Sequence, residues 1–211
     1  MTQTIAMPHP ALDLILQRTS VNHFDPSFSV DEATLAELVR YASEAPSAYN
    51  FQNWHFIAVH STARKAQLCE MAYGQRKVLE SSATFIVCGR LRPHLGLRDA
   101  LKRFQDTGHV DAETVAAMVD SAIQTYADDA QMQRDEAIRS ASLAAMTLMI
   151  AAQAMGLASG PMIGFDPDQV RAGFDLADDE LPVLLVTVGR PAPGNWPRKP
   201  RRPATDVLAI V

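Results

Sequence analysis

Apolar positions along the chain recur with two periods, and each period marks a different element. Leu35, Leu38, Val39 and Ala42 fall at helical spacing behind Ser29 and Glu32, a pair that reads as a capping box. That helix must stop before Pro46, because the residue preceding a proline disfavours helical backbone. A shorter amphipathic helix contains Asp13–Gln17 and ends where Arg18 begins a new segment. Trp54–Val59 (WHFIAV) and Thr84–Gly89 (TFIVCG) are short and rich in aromatic or β-branched residues, the pattern of strands buried on both faces. Thr62–Tyr73 reads as a helix between them, and Leu95–Gln133 as polar helix broken at Gly108 and His109. A long core helix begins near Arg134 and ends at Gly156, where glycine commonly terminates helices. Then come a glycine-containing loop, SGPMIGFDP, a short helix over Pro167–Phe174 and a strand over Val183–Gly189. Val207–Val211 is apolar again after a proline-rich connector. Helices alternating with three or four strands imply a helix-rich layered fold, α/β or α+β.

A chain of 211 residues that is 47% apolar can bury one sizeable core, so residues 1–211 read as a single domain. Cys69 and Cys88 form no metal-spaced pattern and read as reduced structural thiols. The first residues lack the basic flank and apolar core of an export signal, so a cytoplasmic setting is expected. Ala141–Ala158 is nearly long enough to span a membrane, but Ser142, Thr147 and Gln153 interrupt it and alanine contributes little transfer energy. It reads instead as a buried helix whose small residues allow a second helix to approach closely, as at a subunit interface. A net charge of −5 argues against nucleic acid as a partner. Against that acidic background, Arg190–Arg202 holds five basic residues and no acid.

No nucleophile elbow, P-loop, HExxH or GxGxxG occurs. Three loops remain without an assigned role: RTSVN (Arg18–Asn22), APSAYNFQNW (Ala45–Trp54) and SGPMIGFD (Ser159–Asp166), together with RKPRRP (Arg198–Pro203). Singly they could be a helix exit, a turn, a hinge and a solvated basic loop. Jointly, two cationic segments with Ser and Thr donors can hold a phosphate, and proline and glycine loops can bring backbone donors against a flat ring. His23, His55 and His109 have no evident partner and read as structural or surface residues.

The order R-x-S-x-x-x-F, a capped helix, A-P-S-x-x-N-x-Q-x-W, a core helix ending G-L-x-S-x-P-x-x-G-F-D, and R-K-P-R-R-P resembles the FMN-dependent nitroreductase family over residues 12–203. The resemblance implies a small central mixed sheet flanked by helices, in an intertwined homodimer. Residues 190–211 would form an arm whose final strand is exchanged with the partner, and the two FMN sites would be built from both chains. Arg18, Thr19 and Ser20 would contact the FMN phosphate and ribityl chain, with Lys199 and Arg201 closing from the C-terminal side. Pro46, Ser47, Ala48 and Asn50 would lie along the ring and its tail from the partner subunit. Pro161, Met162, Ile163 and Gly164 would cover one ring face. Lys77, or more weakly Gln75, would meet the N1 and O2 edge of the flavin, where a cation stabilises the charge gained on reduction.

Two departures from the family pattern stand out, Asn22 where many relatives carry a basic residue and Asn53 where many carry proline. Asn22 can still donate to the flavin through its amide, and Asn53 is expected to alter loop geometry more than chemistry. The implied reaction is ping-pong. NAD(P)H reduces the flavin, leaves, and an electron-poor acceptor such as a nitroaromatic or quinone takes its place. No side chain is required as an essential acid or base. Residues 91–133 would form a lid that selects the acceptor. The same scaffold also suits enal or semialdehyde reduction or dehalogenation, and a flavin-binding sensor or carrier without turnover is the alternative of a different class.

Overall fold

The computed structural model describes residues 9–211. Helix α1, Pro10–Gln17, starts with a proline where no backbone donor is needed, and His9 caps it. Helix α2, Glu32–Ala42, buries Leu35, Leu38 and Ala42. Its cap differs from the expected one: Asp31, not Ser29, accepts from the Thr34 N–H at 2.8 Å, while Ser29 Oγ meets His60 Nε2 at 3.3 Å. A carboxylate at that place satisfies a free helical donor and adds favourable charge at the positive end of the helix.

Strand β1, Trp54–Val59, leads through α3 (Thr62–Met71) and the one-turn α4 (Lys77–Glu80) to strand β2, Ala83–Arg90. Helices α5 (Leu97–Asp106) and α6 (Ala112–Tyr126) follow, separated as expected around Gly108. Helix α7, Ala130–Ala154, begins before Arg134 because Asp129 caps it by accepting from the Met132 N–H at 2.8 Å. Gly156 ends it with φ +75°, letting the Leu157 N–H reach Ala152 O at 2.8 Å. Space around Gly156 is open, so Gly156→Ala tests backbone conformation alone. It should destabilise the fold by about 1–2 kcal/mol. Gly96→Ala, equally uncrowded but without positive φ, should leave the melting temperature unchanged or slightly higher. Equal melting temperatures for the two variants would refute this.

Strand β3 spans Ala158–Met162, helix α8 Pro167–Gly173 and strand β4 Glu180–Gly189. The stretch SGPMIGFDP is therefore not wholly loop, since its first half is β3. Gly160 is required there for close approach and not as a hinge, because a Cβ would stand 2.4 Å from Val21 O and 2.8 Å from Thr187 Oγ1.

The four strands are ordered β1-β2-β4-β3 and every pairing is antiparallel. This corrects the expected mixed sheet within the described chain, where parallel pairing is confined to the isolated bridge Ser20–Ser159. Doubly buried strands usually signal a parallel sheet, but here helices cover both faces of an antiparallel one. Phe85 and Val87 of β2 and Val186 and Val188 of β4 pack with α2 and α7, through Leu38, Ala141, Ala145 and Leu148. Ile86 and Cys88 of β2 and Leu185 of β4 face the other way, onto Leu68, Val170 and Phe174. Both cysteines are free and buried, and burial, with Glu180 adding to it, pushes the Cys88 thiol up to about 12.

Among the described residues, α7 alone is long and apolar enough to cross a membrane. Its buried positions pack on the sheet, whereas Leu143, Met146 and, past its end, Met155 remain exposed. The segment over residues 91–133 has a small core of its own. Leu97, Leu101, Val115, Val119 and Tyr126 close around Phe51, with the Phe51 and Tyr126 rings 5.3 Å apart edge to face.

Candidate functional site

One place on the surface collects side chains from four parts of the chain. The segment after α1 is laid against β3 by the Ser20–Ser159 bridge, with the Val21 N–H bonded to Ser159 O at 3.0 Å. The same segment then pairs with the connector leaving β4, through Asp25 N–H to Arg190 O at 2.9 Å and Ala192 N–H to His23 O at 2.9 Å. These backbone bonds bring Arg18–Asn22 within reach of Arg198–Arg201, across more than 170 residues of sequence (|i−j| is 173 for the Asn22–Asn195 contact).

Between them lies a cavity of about 190 Å³ lined by Thr19, Ser20, Asn22, Lys77, Pro161, Lys199 and Arg201, and also by Trp196, Pro197 and Arg198. Seven of the expected residues are thus brought together. Arg18 belongs to the same electrostatic group. Burial, and then the charges of Arg201 and Arg198, depress its guanidinium below the usual value. Its Nη1 is buried with no hydrogen-bond partner among the described residues. A half-buried guanidinium with an unsatisfied donor, crowded by two further arginines, is an arrangement that an anion relieves.

Lys77 stands at the wall shared with a wider depression of about 550 Å³, lined by Asn22, His23, Gln75, Arg76, Lys77 and Glu80. Its Nζ donates to Asn22 Oδ1 at 3.4 Å, and burial lowers its ammonium pKa. Gln75 donates from Nε2 to Gly164 O at 2.6 Å, which fixes the loop after β3. In that loop Ile163 is 82% exposed, whereas the Met162 side chain is turned into the core beside Leu185. Met162 can therefore offer the site only its backbone.

Pro46, Ser47, Ala48 and Asn50 do not line this cavity. Their loop is shaped elsewhere, by Ser47 Oγ accepting from the Gln52 N–H at 2.9 Å and by Tyr49 OH against Ser121 Oγ at 2.8 Å. Tyr49, Asn50 and Gln52 all hold positive φ (52°, 57° and 49°), a costly conformation for residues other than glycine. Asn53 ties the loop to the sheet, donating from Nδ2 to Arg90 O at 3.0 Å and accepting at its own carbonyl from the Arg90 N–H at 2.6 Å. It acts on loop geometry, the role expected of it.

Of the histidines without an evident partner, His55 sits 2.6 Å from Glu180 through Nδ1, and His109 hydrogen-bonds Thr107 while stacking on Phe104. The described residues contain no grouping of three His, Cys, Asp or Glu able to hold a metal. Trp196 and Arg198 were not among the expected residues. Arg198 was visible within the basic run, but Trp196 has no distinguishing pattern, and its ring lies 5.0 Å from Lys199 Nζ.

Fold and site together define an α+β protein with a cationic cleft joined from its N-terminal and C-terminal segments. The chain belongs to the nitroreductase family, whose sequence profile matches residues 15–190. It is 35% identical over 179 residues to YodC of Bacillus subtilis, which bears an NAD(P)H nitroreductase name, covering 85% of this chain and 88% of that protein. It is 32% identical over 196 residues to an NADH dehydrogenase of Thermus thermophilus, covering 89% and 91%. A crystal structure from Exiguobacterium sibiricum, described as a nitroreductase in complex with FMN, superposes with a TM-score of 0.88 at 25% identity and covers both chains fully.

Proposed function

We propose that this protein is an FMN-dependent oxidoreductase that passes two electrons from NAD(P)H to an electron-poor acceptor by a ping-pong cycle. The observation that carries the reading is the cationic cavity lined by Arg198, Lys199 and Arg201, with the charge of Arg18 coupled to both arginines. Its donor set suits a phosphate monoester, with guanidinium forks at Arg198 and Arg201, an ammonium at Lys199 and hydroxyls at Thr19 and Ser20, and Arg18 in the same electrostatic group. Bound there, FMN would supply a ring that accepts hydride from a nicotinamide and returns it to a second substrate.

The chain's own groups hold and tune. Arg18, Lys199 and Arg201 fix the phosphate. Asn22 and Lys77, already hydrogen-bonded to each other, face the wider depression where the ring edge would lie. Pro161 and the backbone of Met162, Ile163 and Gly164 form one wall. Pro46, Ser47, Ala48 and Asn50 complete the site from the partner of a homodimer, a role consistent with their not lining this subunit's cavity. Exposed Leu12, Ile15 and Leu16 of α1 and Leu143 and Met146 of α7 are the apolar surface such a dimer would cover. The excursion over residues 91–133 acts as the acceptor lid, anchored through Tyr49 and Phe51 on the loop that would line the neighbouring site.

Steady-state oxidation of NADH and NADPH with menadione or a nitrofuran tests this directly. Acceptor-stimulated turnover is expected, and FMN binding without it would make the protein a carrier. Lys77→Met should leave oxidised FMN bound but lower its midpoint potential. The fall should be about 30 mV for each 1.4 kcal/mol of lost charge stabilisation in a two-electron couple. An unchanged potential in a dye-coupled titration would remove Lys77 from the flavin edge.

A further inference from the structure

The connector that carries the basic cluster is poorly equipped to hold itself in place. Pro191, Pro193, Pro197, Pro200 and Pro203 contribute no N–H groups, so little backbone hydrogen bonding can fasten residues 191–203 to the body. Backbone pairing with the segment after α1 ends at Ala192, whose N–H reaches His23 O at 2.9 Å. Gly194 then turns the chain with φ +92°, and beyond it a side chain takes over.

Asn195 makes four hydrogen bonds, the full complement of a carboxamide. Its Oδ1 accepts from the Asn22 N–H at 2.8 Å and the His23 N–H at 3.0 Å. Its Nδ2 donates to His23 O at 2.8 Å and to Ala192 O at 2.9 Å. One side chain thus substitutes for the peptide group that prolines prevent the connector from offering. It clasps two segments that line the cavity, immediately before Trp196–Lys199 in one and at Asn22 in the other. The Asn22 side chain, which Lys77 meets at 3.4 Å, takes no part in the clasp, because Asn195 bonds only the Asn22 backbone.

We propose that Asn195 is a positioning residue that sets the spacing between Arg18–Asn22 and Arg198–Arg201 and thereby determines how strongly the site distinguishes a phosphorylated flavin from an unphosphorylated one. The proposal rests on the FMN reading above. Lining residues do not change when Asn195 is altered. What changes is whether both cationic segments can engage one phosphate at once. Phosphate recognition should weaken while contacts to the ring do not.

The test compares dissociation constants of FMN and riboflavin, by fluorescence quenching, for the full-length protein and Asn195→Ala. The riboflavin-to-FMN ratio should be large in the wild type. In the variant it should fall by about tenfold, the equivalent of one or two hydrogen bonds, with riboflavin affinity changed less than about twofold on the same scale. A variant that loosens the fold generally would weaken both ligands together, and that result would overturn the proposal, as would an unchanged ratio. If Asn195→Ala does not fold, Asn195→Asp supplies the same ratio. It keeps the bonds accepted from Asn22 and His23 but sets an oxygen against the His23 and Ala192 carbonyls. A wild-type ratio near one would refute the phosphate cradle and the clasp together, whereas a large ratio surviving the substitution would overturn the clasp alone.

Discussion

Replacing Arg18 with alanine should raise the dissociation constant for FMN tenfold to a hundredfold while leaving the chemistry of bound flavin nearly unchanged. A charge-assisted hydrogen bond contributes about 1.5–3 kcal/mol, which corresponds to roughly that range of affinity. The effect on the empty protein should have the opposite character. Burial and the neighbouring Arg201 and Arg198 charges already disfavour the Arg18 cation, and its Nη1 has no partner to lose among the described residues. Removing it relieves repulsion, so the melting temperature of the flavin-free protein should stay level or rise. Isothermal titration at moderate salt checks the first part and thermal unfolding the second. Wild-type affinity in the variant would remove Arg18 from the phosphate site, and a large drop in flavin-free stability would make its role structural.

Deleting Val207–Val211 should loosen the dimer and weaken FMN binding together. Val207, Leu208, Ile210 and Val211 are all exposed in the single chain, and the tail adds no strand to its own sheet. Exposed apolar strand-formers at the end of an extended connector invite self-association unless a partner covers them. We propose that they join the sheet of the other subunit, holding Lys199 and Arg201 over the phosphate. Fully burying one such side chain is worth about 1.5–3 kcal/mol, so losing four from each chain should raise the dimer dissociation constant at least a hundredfold, or about 3 kcal/mol. Sedimentation at low micromolar concentration reads the association and flavin fluorescence the affinity. A truncated dimer with unaltered FMN affinity would place the tail on its own subunit or leave it unused.

Element identity was legible wherever one physical signal dominated. The helical spacing of Leu35, Leu38 and Ala42, the apolar runs of β1 and β2, and the glycine after α7 each led to the element observed. Strand direction was not, because apolar patterning reports burial and both faces of this sheet are covered whichever way its strands run. Ser29 and Glu32 had capping-box spacing, yet Asp31 won the cap, since two candidates within three residues differ only in how the incoming chain enters the helix. A hinge was one open reading of the SGPMIGFD loop, because a glycine needed for close packing, as Gly160 is against Val21, and one needed for a turn look identical in sequence. In the site, Arg18, Ser20 and the basic run were readable as charge and spacing. Asn195 was not, because a half-buried asparagine in a proline-rich connector carries no local signal, and its partners at Asn22 and His23 are distant in sequence.

The visible spectrum of the full-length protein, titrated with FMN and then exposed to NADH or NADPH without oxygen, tests the central claim most directly. Saturable binding in the cationic cavity lined by Ser20, Arg198, Lys199 and Arg201 should shift the flavin band, and adding reduced nicotinamide should bleach it. A colourless protein that takes up no FMN, or a bound flavin that neither nicotinamide reduces, would contradict the assignment as a flavin oxidoreductase.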